Sequence, residues 1–209
     1  MKKIWIGAFG LLAAAALIPA AVLYSGMVDV SADTPHSPVV YELIAAVRER
    51  SIARSAGDVV PPTDLSEAAR VRRGAGNYDA MCAGCHLSPG VANSEIRQGL
   101  YPQPPDLTAL REAGEGQDRF AARQFWIIKH GIKATGMAAW SKGGMTDPDI
   151  WDQVAFLQAL PALSPAQYRQ LVTASGGHTH GGEAVGEHGQ ETADEGDSGH
   201  DHGHGDHHH

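Results

Sequence analysis

The sequence predicts an all-α protein that has an N-terminal membrane helix and a disordered C-terminal tail. Apolar residues recur at three- and four-residue intervals through the middle of the chain, and no useful stretch alternates as a strand would. The two ends differ sharply from that middle in composition. We therefore expect a signal-anchor or transmembrane segment at 1–30, a linker with an amphipathic helix at 31–63, a helical domain at 64–171 and the tail at 172–209.

The N-terminal segment is an uncharged apolar run of 21 residues, 4–24, behind two lysines. A helix of that length is about 30 Å long, which matches the hydrocarbon core of a bilayer. The lysines favour a cytoplasmic N-terminus, so the remainder should lie outside the cytoplasm. The run is longer than the apolar part of an ordinary signal peptide, although Val30-Ser31-Ala32 offers small residues for cleavage. We favour an uncleaved anchor.

The C-terminal tail, from His178 onward, holds nine of the twelve histidines and eight acidic residues, but no Lys or Arg. It therefore carries the whole net charge of −8, and the rest of the chain is formally neutral. Such a segment buries too little apolar surface to fold. Its imidazoles and carboxylates suit Cu, Zn or Ni. The candidate ligands are His200, His202, His204, His207, His208 and His209. A solvated acidic tail, or a purification tag over the last three histidines, remains the alternative.

The segment 39–54 has the pattern of an amphipathic helix. Its apolar stripe consists of Val40, Leu43, Ile44 and Val47. Its basic residues, Arg48, Arg50 and Arg54, collect toward the C-terminal end, where cations complement the helix dipole. This helix can lie on the membrane surface or pack against the following domain, and the sequence favours neither.

Four helices are predicted in the domain, over about 66–81, 120–130, 147–160 and 164–171. Ser66 and Asp147 are expected as N-caps of the first and third, and Gly131 as the end of the second. Gly74 and Gly76 weaken the first helix, so we expect the third helix to pack closely against them. The stretch 87–108 should be mostly loop, because three prolines hold part of it extended.

One motif carries chemistry: Cys82-Ala83-Gly84-Cys85-His86, which contains the only two cysteines of the chain. Cys-x-x-Cys-His is typical of covalent c-type haem attachment. One helical turn presents both sulfurs to one edge of a porphyrin, and the next residue directs its imidazole at the iron. A redox dithiol would need a βαβ setting that the chain lacks. A structural zinc site would need four ligands, and no second Cys-x-x-Cys exists.

A low-spin haem also needs a sixth ligand, usually Met or His. Met137 is the favoured candidate, because it lies in a glycine-bounded, non-helical stretch that can fold over the open haem face. Met145 and His130 remain as alternatives. The other methionines lie outside the domain or, for Met81, directly beside the motif.

Together these residues resemble a class I c-type cytochrome, more narrowly the membrane-anchored monohaem type of Gram-negative bacteria. The similarity covers about 66–160 and rests on the pentapeptide, on the Pro-Pro-Asp-Leu at 104–107, and on the Gly-Met-x-x-Trp at 136–140. It implies a cytochrome c-like fold.

The resemblance also implies roles for individual residues. One haem c would be held covalently by Cys82 and Cys85, with His86 and Met137 as axial ligands to the iron. The carbonyl of Pro105 would orient the imidazole, and Trp140 would lie near the haem propionates. Relatives often have Pro where Ala138 stands.

The function expected from all this is a membrane-tethered periplasmic electron carrier. It would lie in the inner (cytoplasmic) membrane with its haem domain facing the periplasm, and exchange electrons with redox proteins of either place. We expect neither a nucleic-acid partner nor enzymatic activity, although the chain can be the haem electron-transfer subunit of an oxidoreductase. The alternatives are a protein that handles Cu, Zn or Ni through its tail, and a gas sensor with an open sixth position.

Overall fold

The computed structural model describes residues 2–110 and 116–178, and this part of the chain is helical with no β-strand. The all-α prediction is confirmed. Its α-helices, in chain order, are α1 (Lys2–Tyr24), α2 (Pro38–Ala56), α3 (Ala68–Met81), α4 (Ala83–His86), α5 (Glu95–Gln98), α6 (Gln117–His130), α7 (Asp147–Ala159) and α8 (Pro165–Ala174). A 3-10 turn, Leu160–Ala162, follows α7.

Helix α1 has the length and composition to cross a membrane over Ile4–Tyr24, and no part of this segment is buried in the protein. It is therefore a candidate membrane anchor on these two grounds. The tail from 179 onward, with its candidate metal ligands, lies outside the described residues.

The domain is built around the close crossing of α3 and α7. A Cβ on Gly74 would overlap the Asp152 carbonyl and Phe156 Cβ, so the two backbones touch there. The predicted approach of the third domain helix is thus confirmed at Gly74. It is wrong at Gly76, where a Cβ would instead meet the backbone of Gly177 and the Ser175 side chain, beyond α8.

An ion network fastens the same crossing. The Asp152 carboxylate is nearly buried and accepts hydrogen bonds from Arg70, at 2.8 Å, and from Arg73. Arg70 also donates to Asp64, at 2.9 Å. Burying the carboxylate is tolerable because two guanidinium groups pair with it.

Two helix starts differ from the sequence prediction. Helix α3 has Glu67 rather than Ser66 as N-cap, and α7 has Thr146 rather than Asp147. At α7 the Asp149 carboxylate, three residues on, accepts from the Thr146 backbone N–H at 2.9 Å. This capping box fixes the start one residue earlier than expected.

The short helix α5 within 87–108 was not predicted. Its N-cap is Ser94, whose hydroxyl accepts from the Arg97 backbone N–H. Helix α8 begins as predicted at a Ser164 cap but passes residue 171 and ends at Ala174. Gly176 and Gly177, both with positive φ, follow it and supply the stop signal.

The core lies between α3, α6, α7 and α8. Its buried members are Ala75, Tyr78, Ala121, Phe125, Ile128, Met145, Ile150, Val154, Phe156, Leu157, Leu160 and Tyr168. Cys82, Leu107, Met137 and Trp140 pack against this one cluster while remaining partly exposed. Residues far apart in sequence, from the motif and from the loop after α6, therefore pack against the same core.

Candidate functional site

The two cysteines of the site lie on one helical turn at the junction of α3 and α4. The backbone N–H groups of Cys85 and His86 both donate to the Cys82 carbonyl, at 3.0 and 2.8 Å. Both thiols are free and partly buried. The turn therefore presents two sulfurs and an imidazole within five residues, as the spacing predicts.

The chemical state of Cys82 is set mainly by its burial, which raises the pKa of the thiol to about 12, with a smaller effect from Cys85. The thiol therefore stays protonated at neutral pH. An attacking thiolate needs a lowered pKa, so this cysteine does not suit disulfide exchange.

Gln153 on α7 lies beside this thiol, with Nε2 3.8 Å from Cys82 Sγ. The side chain is almost fully buried, and its Oε1 has no hydrogen-bond partner among the described residues. A buried, unpaired amide oxygen is costly, so this end of the Gln153 side chain lowers the stability of the packing beside Cys82.

The His86 ring is oriented by a segment 19 residues away. Its Nδ1 lies 2.9 Å from the Pro105 carbonyl oxygen. A carbonyl only accepts, so Nδ1 carries the proton and Nε2 keeps its lone pair. Burial lowers the pKa of His86, partly opposed by the Pro105 bond, which favours the neutral ring that a metal requires.

The main chain around His86 is held as well. Its carbonyl accepts from the Leu107 N–H and from the Tyr78 hydroxyl, each at 3.2 Å. The Tyr78 hydroxyl is also 2.6 Å from the Leu87 carbonyl. Leu87 has a φ of 68°, a left-handed conformation that a leucine rarely adopts.

Tyr78 is the residue whose role the sequence reasoning missed. Helical periodicity makes it one apolar position among several in the first domain helix, whereas it is fully buried and its hydroxyl is bonded to two carbonyls. Burial raises the pKa of its hydroxyl, so this group remains a donor at neutral pH. The residue type could have predicted this role, because a tyrosine on the core-facing side of a helix needs a hydrogen-bond partner for its hydroxyl.

Met137 lies in a loop that closes on itself after α6. The Ile132 N–H donates to the Met137 carbonyl at 3.1 Å, and the Met137 N–H donates to the Thr135 hydroxyl oxygen at 3.1 Å. Gly131 ends α6 with a φ of 65°, and a Cβ there would lie 2.7 Å from the Met137 carbonyl oxygen. Only a glycine lets the loop approach the helix end this closely.

The other candidate ligands are placed differently. Met145 is 4% exposed and belongs to the core. His130 is exposed at the end of α6, with its ring 5.0 Å from that of Trp126. Trp140 is partly buried, and its backbone N–H donates to the Ile128 carbonyl at 3.1 Å.

No group of three or more His, Cys, Asp or Glu side chains that could hold a metal ion occurs within 2–110 and 116–178. The histidines proposed for Cu, Zn or Ni lie beyond these ranges.

The residues of the site fit a covalent haem. Two free thiols share one turn, the adjacent imidazole has its Nδ1 bonded and its Nε2 lone pair available, and a thioether side chain packs against the same core. This donor set of imidazole and thioether is the one cytochromes c use.

Comparison with known families supports this assignment. Residues 69–157 match the family described as cytochrome C oxidase, cbb3-type, subunit III. No curated protein and no solved structure gave a significant match to the chain. The family match covers α3 through most of α7, and this part of the chain is a c-type cytochrome domain.

Proposed function

We propose that the protein is a membrane-tethered periplasmic electron carrier with one covalent haem c, ligated by His86 and Met137. The observation that carries the proposal is the His86–Pro105 hydrogen bond, which prepares one imidazole nitrogen as a ligand directly beside two free thiols. The c-type cytochrome domain supports haem-based electron transfer as its general role.

In this proposal the protein binds the haem and adjusts its reduction potential, and each residue of the site has a separate role. Cys82 and Cys85 would hold it through thioether bonds, His86 Nε2 and Met137 Sδ would ligate its iron, and Pro105 would keep the imidazole oriented. When bound, haem supplies an iron that cycles between ferrous and ferric states. The thioether ligand favours the reduced state and raises the reduction potential.

The candidate anchor α1 supports a location at the membrane for this carrier. Tethering raises its effective concentration near membrane oxidoreductases. Contacts with donor and acceptor would then be small and transient, as is usual for electron-transfer partners. Two lysines ahead of the apolar run support a cytoplasmic N-terminus and a periplasmic domain.

The ligand assignment is tested by optical spectra of the oxidised and reduced protein. Met137→Ala should abolish the weak thioether-to-iron band of the oxidised form, whereas the matched change Met145→Leu should keep it, because Met145 belongs to the core. A band that survives in Met137→Ala contradicts the proposal. An open, CO-binding site in the wild type would instead support the gas sensor.

A second candidate function is a haem subunit of a larger oxidoreductase, and the name of the matching family favours it. That name describes a subunit of an oxidase. Extraction in mild detergent tests this candidate: a subunit would run with a complex that has oxidase activity, and a free carrier would run as a single small protein.

A further inference from the structure

Helix α2 has two different long faces. Toward its C-terminal end, Ile52 and Ala56 are buried, and Glu49 pairs with Arg123 of α6. This side fastens α2 to the cytochrome domain, and we call it the packed face of α2.

The opposite side of α2 is apolar and exposed. Val40, Leu43, Ile44 and Val47, here named the α2 stripe, are 44%, 65%, 48% and 62% exposed. At 3.6 residues per turn they form one row, more than a third of a turn away from the packed face. A contiguous apolar row in water normally marks an interaction surface.

Two positively charged residues extend the line of the α2 stripe toward the C-terminal end of the helix. Arg50 and Arg54 follow on the same side and are exposed. The two acidic residues of α2, Glu42 and Glu49, lie away from it by helical position. An apolar row that ends in two arginines and has no acid complements an anionic lipid surface.

The position of α2 in the chain also favours a membrane. Only residues 25–37 separate it from α1, the candidate membrane span. The end of this linker is fixed to the domain, because the His36 backbone N–H donates to the Tyr101 hydroxyl at 3.0 Å. Helix α2 is therefore held near the anchor and attached to the domain at both ends.

We infer that the α2 stripe binds the surface of an anionic bilayer, with Arg50 and Arg54 at the lipid headgroups. Since α2 is fastened to the domain, this contact limits how the cytochrome domain turns on its tether. The role is separate from the haem chemistry and does not depend on it.

The test uses the full chain in vesicles containing phosphatidylglycerol and a shallow, lipid-borne quencher. A fluorophore is attached through Val47→Cys on the stripe or through Ala46→Cys, its exposed neighbour about 100° around the helix. The label at 47 should be quenched at least about twofold more strongly than the label at 46. The unsubstituted chain, labelled in parallel, reports any free Cys82 or Cys85 and so shows separately whether haem attachment has failed.

Two further comparisons make the result decisive. Arg50→Gln together with Arg54→Gln, or replacement of the anionic lipid by phosphatidylcholine, should reduce the difference between the two positions. If the difference in quenching between positions 46 and 47 survives both the arginine substitutions and the change of lipid, the proposed role of the arginines is wrong. Equal quenching of the labels at 46 and 47 overturns the inference. If that equal quenching is also weak, the stripe does not contact the bilayer and would serve a protein partner instead.

Discussion

The two sides of the candidate haem site are fastened in different ways. On the His86 side, the ring and its carbonyl are bonded to Pro105, Leu107 and Tyr78, which belong to other segments of the domain. On the Met137 side, the bonds to Thr135 and Ile132 are confined to the loop itself.

This difference indicates that folding of the domain positions His86, whereas the position of Met137 depends on its own loop. A side chain held by distant segments is positioned as soon as those segments pack, and its disturbance affects the whole domain. A loop held by its own short-range bonds can change without unfolding the core. Substitutions on the His86 side should therefore affect stability, and substitutions on the Met137 side should affect ligation.

The largest effect is expected at Tyr78. Tyr78→Ala should lower the free energy of unfolding by about 3–5 kcal/mol, because it removes a fully buried ring. Tyr78→Phe keeps the ring and loses the bonds to His86 and Leu87, for a loss of about 1–3 kcal/mol. Denaturant unfolding followed by tryptophan fluorescence measures both.

Tyr168→Phe is the matched control for the Tyr78 variants. Its hydroxyl donates to Asp79 at 2.7 Å and does not contact the His86 segment. It should cost stability without altering the haem spectrum, whereas Tyr78→Phe should alter both. If Tyr78→Phe unfolds with the same midpoint as the wild type, the Tyr78 hydroxyl bonds to His86 and Leu87 are not what stabilises this side.

A smaller, local effect is expected at Thr135. Thr135→Val removes the acceptor for the Met137 N–H and the donor to the Ile132 carbonyl. The loop should then release its thioether more easily, so added imidazole should bind the haem about two- to tenfold more tightly. Optical titration measures this affinity. Thr173→Val, which loses a hydroxyl bond on α8, should leave it unchanged, and equal affinities in all three proteins would show that the loop bonds do not hold Met137.

The smallest effect concerns Glu49, where α2 is attached to α6. Burial raises the pKa of this carboxyl, but hydrogen bonds from Arg123 and Arg48 outweigh it and hold the pKa below the ordinary 4.5. The ion pair therefore stabilises the fold above about pH 4.5, and its contribution is lost as the pH falls through the lowered value. It should amount to less than about 1 kcal/mol, because the pair is partly exposed.

This prediction is checked by unfolding the wild type and Glu49→Gln across the acidic range. The wild type should be more stable above pH 4.5, and the difference should vanish at lower pH. A difference that is constant with pH would mean that the carboxylate charge plays no part in the attachment of α2.

The same contrast explains which features of the fold and of the site could be predicted from the sequence. Helical periodicity and glycine placement predicted the long helices, but not the four-residue α5, and they predicted the close α3–α7 contact at Gly74. Cys82, Cys85 and His86 were found because their spacing is local. The Tyr78 hydroxyl bonds could not be read, since they depend on which backbone atoms the tertiary fold brings together. The Thr146 cap, in contrast, is a local Thr-x-x-Asp capping box at 146–149 and could have been recognised in the sequence. The sequence also could not decide what the α2 stripe contacts. Periodicity predicts an apolar row, but only the structure shows that a different face of α2 packs against the domain.

The central claim, one haem held by Cys82 and Cys85, is tested most directly by the intact mass of the purified, matured chain. We predict a mass greater than that of the polypeptide by one haem, carried by the single peptide that contains both cysteines. The added mass should survive denaturation in acid and organic solvent, because thioether bonds are covalent. A chain at its unmodified polypeptide mass, with two titratable thiols, would contradict the account.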